Sequence, residues 1–255
     1  MTTIFDSPVA LRMAARSGQF TLPTAGHGPG FLQANLMIVP QAYAFDFLLF
    51  CQRNPKPCPL IEVLDVGALE PVCAPGANLA TDIPGYRVYK DGVLVEERTD
   101  ISALWQKDFV AFLIGCSFSF ESAVIEEGIP MRHVSQGCNV AMYRTNVACT
   151  SAGPFKGEMV VSMRPIKSRD VAKVVEISGR FALAHGTPLH IGNPQVIGIQ
   201  DLAKPDYGDY VDILPDEVPV FWACGVTPQW IAQSSRLPLC MTHAPGKMFV
   251  TDRRR

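Results

Sequence analysis

The chain has 255 residues and a formal net charge of −2 at pH 7, with 48% hydrophobic and 18% charged residues. This length accommodates one or two domains with a full hydrophobic core. Because ordinary globular proteins carry about 25% charged residues, the low fraction predicts a large core, a homo-oligomer interface, or both. The apolar content excludes a disordered chain, and a pI of about 6.2 argues against nucleic acid as a partner.

Neither membrane association nor secretion is expected. The longest purely apolar run, residues 109–114, is far shorter than the roughly 20 residues that cross a bilayer. Residues 1–6 lack the basic start and apolar centre of a secretion signal, so we predict a cytoplasmic location. The basic cluster at residues 253–255 is interpreted as a frayed tail. The eight cysteines include no C-x-x-C pair, which favours reduced, buried thiols over disulfides or a metal site.

The first part of the chain predicts two helices. Ser7 followed by Pro8 is the pattern of an N-cap with a proline in the first turn, and Gly18 supplies the stop. After a loop rich in glycine and proline, residues 40–51 predict a second helix, which the sequence Asn54-Pro55 ends.

Strand patterns follow these helices. Residues 60–66 predict a buried strand, and residues 86–97 predict a hairpin around Asp91-Gly92. Residues 109–114 and 218–224 are apolar runs, and each is followed by a glycine and a helix start. Such runs are typical of strands covered on both faces. Two of these units predict one layered sheet with helices against its faces.

The segment between the two units predicts a second, smaller structure. Residues 158–165 predict a strand, residues 168–184 a helix capped by Ser168, and residues 196–199 another strand. Beyond it, Thr227 with a following proline is predicted to cap the last helix. The predicted division assigns residues 1–139 and 216–255 to a main domain and residues 140–215 to a smaller two-layer subdomain.

The turn after the first apolar run is the strongest candidate for chemistry. Gly115 and Cys116 end the strand, and Ser117, Ser119 and Glu121 stand at the start of the next helix. A helix N-terminus presents free N–H groups and a positive dipole end, which attract carboxylates. The alternative is that the serines only cap the helix and Glu121 only complements its dipole. The turn also nearly matches G-x-S-x-G, with Ser119 in place of the last glycine, which makes Ser117 a weak candidate nucleophile.

Other candidate side chains are histidines and cations. His27 and His243 lie in two copies of H-x-P-G, each predicted as a turn that presents an imidazole. No short zinc spacing is present, so a metal site from distant histidines is the less favoured alternative. Lys56 stands between two prolines, and Arg87 and Arg164 lie on predicted strands. We expect Arg164 to project to the rim of the sheet, where it would grip a carboxylate.

Several segments together resemble the D-glutamate cyclase family, many bacterial members of which are called hydro-lyases. The resemblance covers nearly the whole chain, in order. It implies a mixed α/β (α+β) fold, with a three-layer αβα sandwich and a smaller two-layer α/β subdomain. It also implies loss of water from a small acid, which in the cyclase reaction is closure of D-glutamate to 5-oxo-D-proline. The segments are residues 26–30, 54–59, 86–89, 115–121, 161–165, 205–209, 221–229 and 243–246.

Lactam closure requires a proton acceptor, a proton donor and a grip on the carboxylates. We therefore assign Glu121 as general acid or base, with His27 or His243 as the second proton carrier. The turn with Ser117 and Ser119 is assigned to bind a carboxylate and the developing oxyanion. The side chains and turn residues assigned to substrate binding are Lys56, Arg87, Arg164, Asn54, Gly115, Cys116 and Thr227.

No dinucleotide fingerprint or phosphate loop is present in the sequence. We predict an enzyme without cofactor or metal that acts on a small anionic metabolite. Three alternatives stay open: a protein that binds a small acid without converting it, a metal-dependent amidohydrolase that acts on a cyclic amide, and a serine hydrolase.

Overall fold

The structure is a computed structural model that describes residues 4–255. Residues 1–3, on which part of the secretion-signal prediction falls, lie outside the described residues. Within residues 4–255, no helix combines the length and the apolar character that a membrane crossing requires. The helices are α1 (Pro8–Arg16), α2 (Gln41–Arg53), α3 (Phe118–Glu126), α4 (Arg132–Gln136), α5 (Val171–Gly179) and α6 (Thr227–Ser235). The strands are β1 (Phe31–Pro40), β2 (Leu60–Val63), β3 (Tyr86–Lys90), β4 (Val93–Arg98), β5 (Phe109–Gly115), β6 (Ala141–Ala148), β7 (Glu158–Lys167), β8 (His190–Ile191), β9 (Glu217–Ala223), β10 (Cys240–His243) and β11 (Phe249–Arg254).

The strands form two antiparallel sheets, and the mixed α/β class is confirmed. The larger sheet has the order β2-β5-β1-β10-β3-β4, and β11 also pairs with β1. The smaller sheet has the order β6-β7-β9-β8. The prediction that both apolar runs lie in one sheet is wrong, because β9 pairs with β7 over seven positions in the smaller sheet. The division of the chain at residues 140 and 215 stays a prediction.

Each sheet buries one face under helices and the other under long connections. In the larger sheet, Met37, Phe112 and Cys240 pack against Phe47 and Phe50 of α2 and against α6, whereas the opposite face packs on residues 64–83. In the smaller sheet, α3 and α5 cover the face that carries Val220 and Trp222. This packing brings α3, which directly follows β5 of the larger sheet, onto the smaller sheet.

Local signals predicted several elements correctly. Helix α1 begins after Ser7, whose hydroxyl accepts the N–H of Ala10 at 3.3 Å. The hairpin is present, with Asp91 and Gly92 both at positive φ, 48° and 81°. All of β5 is buried, as its apolar run indicates. Strand β2 ends at Val63, which makes it shorter than predicted, and its residues are half-buried or exposed rather than buried.

Three predicted elements are corrected. Residues 196–199 are not a strand, because Pro194 and a capping bond from Gln195 N–H to the side chain of Asn193 start a 3₁₀ turn, Pro194–Ile197. The helix predicted over residues 168–184 contains only α5 and two flanking 3₁₀ turns, Ser168–Asp170 and Ala182–Ala184. The hydroxyl of Ser168 donates to Asp216 O instead of capping.

The cap predicted at Thr227 is also wrong. Its hydroxyl donates to Cys224 O at 2.7 Å and accepts the N–H of Val160 at 3.1 Å. Val226 occupies the N-cap position. Thr227 therefore ties α6 to β7 and is not available to a ligand.

We expect Gly115→Ala to lower the free energy of unfolding by about 3 kcal/mol or more, because an added Cβ would collide with the backbone oxygen of Leu183. Gly128→Ala is the control, since its Cβ would meet no atom within 4 Å. Its left-handed conformation predicts a loss of about 1–2 kcal/mol. Urea unfolding measures both variants, and equal losses would contradict the close packing at Gly115.

Candidate active site

A buried arginine lies at the centre of the site. Arg164 is on β7, which is paired on both sides, and α3 covers this face of the sheet. Its side chain is 0% exposed and its guanidinium lies 5.3 Å from the ring of Phe120 and 5.4 Å from that of Trp222. The prediction that Arg164 projects to the rim of the sheet is therefore wrong. Strand β7 is a central strand, and α3 covers the face from which this side chain projects.

Arg164 binds three oxygen-bearing side chains. Its Nε donates to Glu121 Oε1 at 2.8 Å, and its Nη2 donates to the same oxygen. Its Nη2 also donates to Ser117 Oγ at 2.9 Å, and its Nη1 donates to Ser162 Oγ at 3.0 Å. On its other side, Glu121 Oε1 lies 3.1 Å from Nε2 of His133. These contacts join α3, α4, β7 and the turn after β5.

Glu121 is ionised at neutral pH. Burial raises the pKa of its carboxyl, but the charges and hydrogen bonds of His133 and Arg164 outweigh burial and lower the pKa to about 2. Such a carboxylate is a weak base and holds no proton to donate near pH 7. It is suited to orient His133, as carboxylates do for catalytic and metal-bound histidines.

His133 was missed by the sequence assignments. It lies on α4, a short helix that Gly137 ends in the left-handed conformation, and the ring of Phe118 stacks on it at 6.1 Å. With Nε2 facing a carboxylate, an imidazole that carries a single proton holds it on Nε2, which leaves a lone pair on Nδ1. Nδ1 makes no hydrogen bond to any residue in 4–255. Only tertiary contact with Glu121 distinguishes His133 from the other histidines.

Two clefts lie over this network. One, of about 320 Å³, is lined by Glu121 and by His27. The other, of about 430 Å³, is lined by His133 and again by His27. The two clefts therefore share His27 and bring it together with Glu121 and His133. The side of α3, rather than its N-terminus, forms the wall.

His27 offers a neutral hydrogen-bond donor. Its Nδ1 accepts the N–H of Phe5 at 3.2 Å, so the neutral ring carries its proton on Nε2. Burial lowers the pKa of the imidazole, and the rings of Phe5 and Phe20 flank it. Gln33 holds the loop by donating to His27 O at 2.9 Å. Nε2 has no hydrogen-bond partner in the described part of the chain.

The turn at Gly115 is scaffold rather than an open anion site. The N–H of Cys116 donates to Gln33 O at 3.0 Å, and the N–H groups of Ser119 and Phe120 donate to carbonyls of the turn itself. The hydroxyl of Ser119 accepts the N–H of Gln33 at 2.9 Å. Ser117 Oγ faces Arg164 and has no histidine partner among the described residues, which removes the support for a serine nucleophile.

The other predicted polar groups lie elsewhere. Asn54 makes two hydrogen bonds to the backbone of Thr150, and Lys56 Nζ donates to Thr187 O at 2.6 Å. Arg87 pairs with Glu97 across the β3–β4 hairpin at 2.7 Å. The structure does not bring these side chains to Glu121.

His243 is also separate from the clefts. Its Nδ1 accepts the N–H of Leu36 at 3.1 Å, and Gln229 donates to its carbonyl oxygen at 2.6 Å. The residue is fully buried, and burial lowers the pKa of its imidazole to about 3. It is a neutral structural histidine here.

The interpretation of residues 253–255 as a frayed tail is wrong. Strand β11 continues through Arg254, whose guanidinium lies 3.9 Å over the ring of Phe31. Arg255 donates to both carboxylate oxygens of Glu126, at 2.7 and 2.9 Å, and to Ser122. Phe31, Ser122 and Glu126 all line the 320 Å³ cleft, so two guanidinium groups stand at its rim.

In the part of the chain that the structure describes, no three His, Cys, Asp or Glu side chains form a metal-binding cluster. What the structure assembles is a histidine in contact with a buried carboxylate, and a second histidine that lines the same cleft and whose Nε2 has no partner in residues 4–255. Such an arrangement is that of a site for acid–base chemistry on a small molecule.

Comparison with known proteins gives the family. The model of the D-glutamate cyclase family matches residues 110–252. Proteins named "Putative hydro-lyase" from Stutzerimonas stutzeri, Geobacillus kaustophilus and Rhodococcus jostii are 56%, 55% and 57% identical, over 97%, 95% and 97% of this chain and 94%, 93% and 94% of theirs. The chain belongs to the D-glutamate cyclase family and is a lyase of the hydro-lyase class. A nitrogen repressor-like protein from Methanococcus jannaschii aligns over 91% of this chain and 90% of its own, at 11% identity and a TM-score of 0.40, which does not establish a shared fold.

We expect Arg164→Met to destabilise the protein by about 3–5 kcal/mol, because it leaves the Glu121 carboxylate buried without its main partner. The double variant with Glu121→Gln should lose less than the sum of the two single variants. Arg144→Met, which removes a half-exposed ion pair with Asp206, is the control and should cost less than about 1 kcal/mol. Additive losses in urea unfolding would show that the buried pair contributes no coupling energy.

Stability should also depend on pH through Glu121. Its native pKa of about 2 lies below the ordinary value of 4.5, so its ionisation stabilises the fold above pH 4.5, and this stabilisation disappears as the pH falls toward 2. The stability difference between wild type and Glu121→Gln should shrink over that window by an amount on the order of 3 kcal/mol. Glu176→Gln, in an exposed ion pair, is the control. A difference that stays constant with pH would contradict the lowered pKa.

Proposed function

We propose that this chain converts D-glutamate to 5-oxo-D-proline and water at the two clefts lined by His27, His133 and Glu121. Membership of the D-glutamate cyclase family supports the reaction. The single observation that carries the location is the contact between the Glu121 carboxylate and Nε2 of His133 beside these clefts. The clefts, of about 320 and 430 Å³, have room for a small acid.

The chemistry sets what the residues must do. The substrate nitrogen attacks the carbon of the distal carboxyl, a C–N bond forms, and a C–O bond breaks. The ammonium loses two protons in total, and the departing oxygen gains two protons to leave as water. One group that accepts a proton at nitrogen and returns it at oxygen therefore serves both halves of the reaction.

His133 is the group proposed for this proton transfer. Its Nδ1 is free of protein partners in residues 4–255, and Glu121 fixes the ring and stabilises the imidazolium that forms. Glu121 thus acts through His133 and does not itself exchange the proton. A positioned acid–base group contributes about 10²–10⁴-fold in rate.

His27 is proposed to polarise the carboxyl that is attacked. Because its ring is neutral with the proton on Nε2, it can donate a hydrogen bond to an oxygen on which negative charge develops. Arg254 is proposed to hold the second carboxylate, since it pairs with no carboxylate among the described residues and lies over Phe31 of the cleft.

The proposal includes several features that the sequence predicts: action without a cofactor or metal, a cytoplasmic location and a homo-oligomer. The low fraction of charged residues, 18%, supports the last of these.

The test is dehydration of D-glutamate, with 5-oxo-D-proline measured by chiral chromatography and mass spectrometry. We expect His133→Asn to lower kcat/KM by about 10²–10⁴-fold, with smaller losses for His27→Asn and Glu121→Gln. His190→Asn is the matched control, because that ring only bonds Asn193 O in a turn. Wild-type turnover in a folded His133→Asn protein would refute the assignment. Binding of D-glutamate without any loss of water would favour a binding protein.

A further inference from the structure

We propose that the protein has a second ligand site, which binds a free amino acid through its ammonium and carboxylate groups. The site is a cleft of about 460 Å³ beside the β3–β4 hairpin, here called the hairpin cleft. It contains none of the residues assigned to acid–base chemistry. The residues that carry the argument are Arg87, Asn139, Asp206, Asp209 and Lys247.

The charges of the hairpin cleft leave one cation and one anion unpaired. Arg87 pairs with Glu97 at 2.7 Å, and Asp206 pairs with Arg144 at 2.7 Å. Within residues 4–255, Lys247 and Asp209 form no ion pair, although both line the cleft. A ligand that carries one carboxylate and one ammonium complements this pattern, whereas a plain dianion would meet the unpaired carboxylate of Asp209.

A buried acceptor lies beside Asp209. Asn139 is 9% exposed, and its Oδ1 has no hydrogen-bond partner in the described part of the chain. Its N–H donates to Asp209 Oδ2 at 2.8 Å, and its Nδ2 donates to Pro245 O at 3.2 Å. An unpaired buried acceptor is costly, and rotation of the Asn139 amide toward the cleft would let an ammonium group bound at the exposed Asp209 carboxylate supply the missing donor.

Two glycines pack behind the lining of this cleft, against Asn139 and Lys247. Gly246 has φ +83°, and a Cβ there would lie 2.5 Å from both amide atoms of Asn139. A Cβ on Gly85 would lie 2.8 Å from Cδ of Lys247. Glycine at position 246 therefore lets the Asn139 amide pack where it does, whereas the flexible Lys247 side chain could move away from a Cβ on residue 85.

The test is calorimetric titration of the full chain with L-alanine. This amino acid has no second carboxyl and cannot form the lactam, so the titration is independent of the dehydration assay. We expect Lys247→Met and Asp209→Asn each to raise the Kd for L-alanine at least tenfold. Lys204→Met and Asp201→Asn are the matched controls, since they alter an exposed ion pair in the same region and should bind as wild type does.

Two further measurements keep the outcomes separate. Acetate and methylamine, each half of the ligand, should bind much more weakly than L-alanine, because each satisfies only one of the two charges. The double variant His27→Asn with His133→Asn should keep L-alanine binding even where dehydration is lost. Unchanged binding in Lys247→Met and Asp209→Asn, or loss of binding in the double histidine variant, would overturn the second site while leaving the proposed reaction to its own assay.

Discussion

The buried ion pair between Arg164 and Glu121 is the interaction on which the rest of the site depends. Removing either charge from water costs several kcal/mol, and the pair is tolerated only because its hydrogen bonds are nearly complete. Arg164 supplies Nε, Nη1 and Nη2 to three oxygen-bearing side chains, and the aromatic faces of Phe120 and Trp222 cover the guanidinium. A central strand of the smaller sheet is thereby joined to the turn that leaves the larger one.

The same ion pair sets the protonation state of Glu121. Without a partner, burial would favour the protonated carboxyl. With Arg164 and His133 beside it, the carboxylate stays ionised and becomes a fixed negative charge next to an imidazole. In the proposed reaction His133 carries out the acid–base step, and its Nδ1 has no hydrogen-bond partner within residues 4–255. Structural stability and the proposed chemistry thus depend on the same cluster of side chains. Through this cluster Glu121, which stands in the first turn of α3, contributes to a site that lies along the side of that helix.

Prediction from sequence succeeded where the determinant is local. The hairpin at Asp91-Gly92 and the start of α1 at Ser7-Pro8 depend on the conformational limits of a few adjacent residues, and both are present. It failed where distant contacts compete. Thr227 has the residue type of a cap, but the strand that packs beside it offers better partners at Val160 and Cys224. Ser168 is a similar case, since its hydroxyl bonds the distant Asp216 O. The strand predicted over residues 196–199 was wrong for a local reason, because Asn193 and Pro194 start a 3₁₀ turn there.

The sequence by itself determined the family resemblance and the mixed α/β class, because these follow from motif order, apolar periodicity and chain-local preferences. Only the tertiary structure decided that Arg164 is interior, that His133 faces Glu121, and that Arg255 lies against Glu126. The physical reason is that the residue type of a charged side chain does not specify whether it is buried or which residue it pairs with. The neighbouring strands and the helix that covers them determine both, and these elements come from distant parts of the chain.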